Sequence, residues 1–269
     1  MQDLLLLQQA MVNNQRLECK NLFDKYERII QSSLSDSAHP YQVAAKIPDD
    51  EISWCLMPTD IPGNLSPKRA TADRNSLYFS TSIALTGTEK LAHVLRLLVA
   101  AELYLEADFY ARHPYFENNF KKCNYSESTR FAIDLSSDYE DVRNRQDVVV
   151  QEATITCRNG KWGAMLQIMA LVSVISWPIF AVYPDTVNHV VRSFCHGVVT
   201  PKMQLPNQVS KENMVFIMWI RTSLVPQNAT LEPNQFVPLM PSVGCNRPPF
   251  LFDENEFPPL QKISEPSKR

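Results

Sequence analysis

Thiols and imidazoles are the side chains of this sequence with the most chemistry to offer. Six cysteines stand at positions 19, 55, 123, 157, 195 and 245, far apart and with no CxxC pair. That spacing suits neither a zinc site nor a dithiol redox motif, so we expect reduced, mostly buried thiols of an intracellular protein. Cys195 and His196 are neighbours, but on a strand they would point to opposite faces and could not act together. His39, His93, His113 and His189 have no metal-ligand partner at a useful spacing. No metal or cofactor is expected. Asp73 and Asn75, just ahead of an apolar run, read as helix-capping residues.

Other classes of chemistry are excluded by composition. Only six glycines occur, at 63, 87, 160, 163, 197 and 244, so neither a phosphate-binding glycine loop nor a dinucleotide fingerprint can be built. A net charge of −3 gives no basic field, so nucleic acid is not expected as a partner of this chain alone. Ala164 to Tyr183 is uncharged for the length of a membrane span, but Trp177–Pro178 breaks it into a helix and a strand. Leu4 to Leu7 is too short for a signal-peptide core.

The elements that must position any site follow from periodicity. Residues 2–33 read as one helix with Leu4, Leu7, Met11, Leu17, Leu22, Tyr26 and Ile30 on one face. Residues 34–72 are rich in proline and irregular. A helix begins at Ser76 and another runs from Thr88 to about Tyr110, followed by a polar stretch over 113–145. A helix over 147–157 is weakened by three consecutive valines. Then come a helix over 161–176, a strand over 179–185 and a possible strand near 187–195. Strands over 214–221 and 236–240 precede a tail rich in Pro, Glu and Lys, expected to be extended or disordered. Met169, Val172, Phe180, Val182, Phe216 and Met218 are candidate core residues. The strand over 214–221 is apolar on both faces and belongs inside a covered sheet. The class is α/β (α+β) with one small sheet.

Three segments, in order, resemble the ovarian-tumour (OTU) cysteine protease family. Asp73-Arg-Asn-Ser-Leu-Tyr78 stands where the family has D-G-N-C-L-F. Lys161-Trp-Gly-Ala-Met-Leu-Gln-Ile-Met-Ala-Leu171 with Ile179-Phe-Ala-Val-Tyr183 resembles its W-G helix and following strand. Val215 to Ile220 with Glu232-Pro-Asn-Gln-Phe-Val-Pro-Leu239 resembles its last strand pair, ending in N-H-F-V-P-L. The runs SLYF…SIALTG, VLRLLVAAELYLEADFY, IFAVYP and FIMW are similar to the vertnin-type members of this group.

The resemblance implies a papain-like OTU fold over 70–240, preceded by a helix and irregular lead-in over 1–69 and followed by the tail over 241–269. It also implies a degenerate site. Ser76 takes the nucleophile position, Gln235 the histidine position and Val237 the third. A serine hydroxyl needs a base, and an amide cannot be one. Arg74 replaces the glycine that would face a substrate carbonyl. The expectation is therefore a catalytically inactive, nuclear or cytoplasmic domain that binds a protein partner, with ubiquitin among the candidates. The competing expectation is an active deubiquitinating cysteine protease with a displaced nucleophile, Cys55, Cys123 or Cys195.

Overall fold

A computed structural model describes residues 2–35, 43–113, 145–185, 189–202, 214–221 and 233–242. The N-terminal helix expected over 2–33 is two helices, α1 (Gln2–Val12) and α2 (Arg16–Ser35). The break falls at Asn14, which takes a left-handed φ of 53°, a conformation asparagine tolerates better than most residues. The turn shifts the phase of the second helix. Leu17, expected on the buried face, is 72% exposed, and Cys19 and Phe23 point inward instead, whereas Ile30 is buried as expected.

The main body continues with α3 (Glu51–Trp54), β1 (Leu65–Pro67), α4 (Ser76–Thr86), α5 (Ala92–Leu105) and α6 (Ala107–Ala111). After the undescribed residues 114–144 follow α7 (Arg145–Thr156), α8 (Met165–Ile175), β2 (Ile179–Val182), α9 (His189–Cys195), β3 (Gly197–Val199), β4 (Val215–Ile220) and β5 (Gln235–Pro241). The helix expected over 88–110 thus divides at Glu106, where Arg16 donates to the Leu105 carbonyl. The strand expected near 187–195 is the helix α9. Its buried Val191, Phe194 and Cys195 follow i, i+3, i+4 spacing, while Arg192 turns to two aspartates. The spacing of the buried residues is helical. The tail from 243 onward lies outside the described residues.

The sheet has the order β1-β5-β4-β2-β3, with β2 and β4 parallel and the other pairs antiparallel. The strand apolar on both faces, β4, is its middle strand. Val215, Ile217 and Trp219 face the helices; Met218 and Ile220 face a second core with Phe180, Val182, Val237 and Leu239. That second face is covered by Leu56, Met57, Ile61 and Leu65. The irregular lead-in is therefore a lid on the sheet. Phe216 is only half-buried at its edge, not a full core residue, while Met169, Val172, Phe180, Val182 and Met218 are buried.

Helix α4 lies against β4 and β5, whereas α8 packs chiefly on α5 and meets the sheet at β3. Met165, Ile168, Val172 and Ile175 of α8 nevertheless share one buried core with Ile179 and Ala181 of β2 and with Val215, Ile217 and Trp219 of β4. Two glycines make this packing feasible. Gly87 ends α4 with φ 72°, a region open to glycine at no steric cost. A Cβ on Gly163 would come within 2.4 Å of Leu77 on α4, so glycine lets the 161–164 segment approach that helix. No described helix is long and apolar enough to cross a membrane.

Candidate functional site

Ser76 is the first residue of α4 and Gln235 the first of β5, and the two ends meet. The Phe236 N–H donates to Ser76 Oγ at 3.0 Å. One helical turn on, Ser80 Oγ donates to the Phe236 carbonyl at 2.9 Å. The pair at i, i+4 thus holds both main-chain polar groups of one strand residue. The reason lies in the sheet. Strand β1 pairs only with residues 239–241, so the N-terminal half of β5 has an open edge. Buried main-chain groups must find partners, and α4 supplies two of them.

Ser76 and Gln235 are both buried, but no direct hydrogen bond joins their side chains; Ser76 bonds instead to the amide after Gln235. Strand alternation places Gln235 with Val237 and Leu239, both in the core on the lead-in side of the sheet. The three positions singled out in the sequence are thus a committed hydroxyl, a buried amide and an apolar core residue.

The turn ahead of α4 is tightly tied. Asp73 accepts from the Asn75 N–H at 2.6 Å and from Asn75 Nδ2 at 3.0 Å. Asn75 Oδ1 in turn accepts from Arg96 Nη1. Arg96, on α5, is 1% exposed. Its Nε donates to the Thr156 carbonyl at 2.8 Å, and its Nη2 to the carbonyls of Arg158 and Lys161 at 2.6 and 2.8 Å. Its guanidinium also lies over the Tyr78 ring, 5.1 Å from the centroid. Among the described residues it has no carboxylate partner. One buried cation therefore ties the α4 turn to the loop before α8. Gln167 extends the tie: Oε1 accepts from the Ala164 N–H at 2.9 Å, and Nε2 donates to Thr156 Oγ1 at 3.2 Å. Arg74, between these bonded residues, is exposed.

Arg96 and Ser80 are absent from the residues that sequence reasoning singled out. The signal for Ser80 was its i+4 spacing from Ser76. Arg96 left only the oddity of a charge inside an apolar helix.

A second polar cluster lies at the far end of β2. His196 Nδ1 sits 3.2 Å from the Tyr183 N and 3.3 Å from its O, and Nε2 is 3.6 Å from Asp60 Oδ2. Arg192 binds Asp60 at 2.5 Å and Asp185 at 3.0 Å. Burial, then the nearby Arg192 charge, pushes the imidazole below its usual range. His196 follows α9 rather than lying on a strand with Cys195, which corrects the geometry assumed for that pair.

The thiols are inert or unaccompanied. Burial pushes Cys19 up to about 11 and Cys157 up to about 12, and Cys195 higher still. Cys55 is exposed, with its sulfur 3.8 Å from the Glu51 carbonyl and no histidine bonded to it. Cys123 lies outside the described residues. No group of three or more His, Cys, Asp or Glu among the described residues could hold a metal ion.

Helices on one face of a small mixed sheet, with the first turn of α4 docked on β5, form an OTU-type domain. A family model described as "Vertnin, OTU domain" matches residues 67–220, and the chain belongs to that family. Vertnin of Danio rerio is 22% identical over 202 residues, covering 71% of this chain and 27% of that protein. The chain spans about a quarter of the length of this curated relative.

Proposed function

We propose that this OTU-type domain is catalytically inactive and serves as a protein-interaction or regulatory module, with ubiquitin as one candidate partner. The observation that supports it most is the hydrogen bond from the Phe236 N–H to Ser76 Oγ. A nucleophile must be free to approach a carbonyl and must have a base to take its proton. Ser76 is buried and engaged as an acceptor, and the residue at the base position is Gln235. Acyl transfer would require the strand to give up its partner before chemistry began.

An active protease with a displaced nucleophile draws little support from the described cysteines. Thiolates are the reactive form, and three of these thiols are held protonated by burial. The test is labelling with a ubiquitin-based electrophilic probe. The proposal expects no adduct with the purified chain. An adduct mapped to Cys55, Cys123 or Cys195 would establish the displaced-nucleophile reading. Ubiquitin pull-down with the same chain then reads binding without chemistry.

A further inference from the structure

The turn between α7 and α8 holds the one Asn-Gly pair of the sequence, Asn159–Gly160. In such a pair the glycine nitrogen and the asparagine side-chain carbonyl are covalent neighbours, so each meets the other at high effective concentration. Access and free partners then decide whether they react. Asn159 is exposed and Gly160 half-buried. No hydrogen bond engages the Asn159 side chain or the Gly160 N–H among the described residues. A Cβ on Gly160 would meet nothing within 4 Å, so open space flanks the nitrogen. The carbonyls on either side are placed quite differently. Those of Arg158 and Lys161 both accept from a single nitrogen, Arg96 Nη2, at 2.6 and 2.8 Å. The same buried guanidinium holds the Asn75 side chain ahead of α4. A reactive pair thus sits between two main-chain groups that one cation grips together.

We propose that Asn159–Gly160 is a site of spontaneous deamidation whose isoaspartyl product undoes the grip of Arg96 on this turn. The Gly160 nitrogen bonds to Cγ of Asn159 and gives up its proton. The bond from Cγ to the amide nitrogen breaks, and ammonia leaves a succinimide ring behind. Water then opens the ring at one of its two carbonyls. Breaking the new Cγ–N bond gives aspartate and an unchanged main chain. Breaking the original C–N bond gives isoaspartate, with the chain rerouted through the side chain. Isoaspartate therefore adds one methylene to the main chain, between the two carbonyls that Arg96 Nη2 holds. One of them must let go, which leaves a buried donor without its acceptor. Aspartate adds a charge at an exposed position and leaves the grip intact. The two products of one reaction thus differ in what they do to the fold.

Ageing the full folded chain at mildly alkaline pH tests it, beside an equally aged Asn159→Gln variant and a free peptide spanning 156–164. Peptide mapping reads the amide-to-acid mass gain at 159. Transfer of a labelled methyl group by an isoaspartyl methyltransferase reads the isoaspartyl form. The wild-type chain should gain isoaspartate at 159, and Asn159→Gln, which would have to close a larger ring, should not. Aged wild type enriched in isoaspartate should melt about 2–4 °C below equally aged Asn159→Gln, the shift expected when roughly one hydrogen bond is lost. Asn159→Asp reproduces the other product and should melt with fresh wild type. A folded chain that keeps its amide at 159 while the free peptide converts would overturn the site. An isoaspartyl chain that melts with aged Asn159→Gln, or Asn159→Asp melting as low as the isoaspartyl chain, would overturn the link to Arg96. None of these outcomes touches the interaction-module reading, which the ubiquitin probe and pull-down decide separately.

Discussion

Two polar regions flank the sheet of this domain, and they are built on opposite principles. At the α4–β5 junction, Ser76, Ser80 and Arg96 all bind main-chain groups. At the far end of β2, His196, Asp60, Arg192 and Asp185 meet one another side chain to side chain. The first region is a fastening of side chains onto main chain. The second keeps a titratable group in a partly charged setting, yet offers no nucleophile.

The largest effect that separates the two should come from Arg96→Met. It strips a donor from Asn75 and from the carbonyls of Thr156, Arg158 and Lys161 at once. An unsatisfied buried group costs about 1–3 kcal/mol, and whole domains have only about 5–15 kcal/mol to lose. Loss of cooperative unfolding, or of about 4 kcal/mol or more in urea denaturation, is expected. A change under about 1 kcal/mol would mean that the junction does not depend on this cation.

Next in size are the aromatics of the second core, which share a stacked contact at 5.7 Å. Phe180→Ala should cost about 3–5 kcal/mol, the usual range for a buried phenylalanine. Phe216→Ala should cost about half as much, because its ring is only half-buried. Equal losses would place Phe216 deeper than the structure does. Ser80→Ala should then cost about 1–2 kcal/mol, since the Phe236 carbonyl has a second lone pair and tolerates loss better than a donor.

His196 should give a smaller, pH-dependent signature. Its folded pKa lies below the ordinary 6.5. The unfolded chain therefore takes up a proton first as pH falls, and stability drops from about pH 6.5 until the folded pKa is reached. Above about pH 7 the group contributes no slope. Thermal melts of wild type and His196→Gln across about pH 5 to 8 should diverge only on the acid side, with the wild type the steeper. Parallel curves would remove His196 as the titrating group.

Much of the framework was legible in the sequence. Apolar runs marked β2, β4 and β5, and the two-sided apolarity of Val215 to Ile220 placed it in the middle of the sheet. Chain periodicity failed where local geometry intervened. Asn14 reset the phase of α2, and α9 took the helical spacing of Val191, Phe194 and Cys195 where a strand was expected. The candidate site was legible only through resemblance, as positions 73–76 and 235. Its working parts were not, because Arg96 bonds main-chain oxygens about sixty residues away and the Phe236 amide has no letter of its own. Main-chain partners leave no trace in a sequence pattern.

The central claim is that Ser76 holds β5 and does no chemistry. Its most direct test is cleavage of a panel of di-ubiquitins by wild type and Ser76→Ala, with urea denaturation of both. No cleavage by either chain is expected, together with a stability loss of about 1–3 kcal/mol in the variant as the Phe236 N–H loses its acceptor. Cleavage by the wild type that Ser76→Ala abolishes, with stability unchanged, would contradict it.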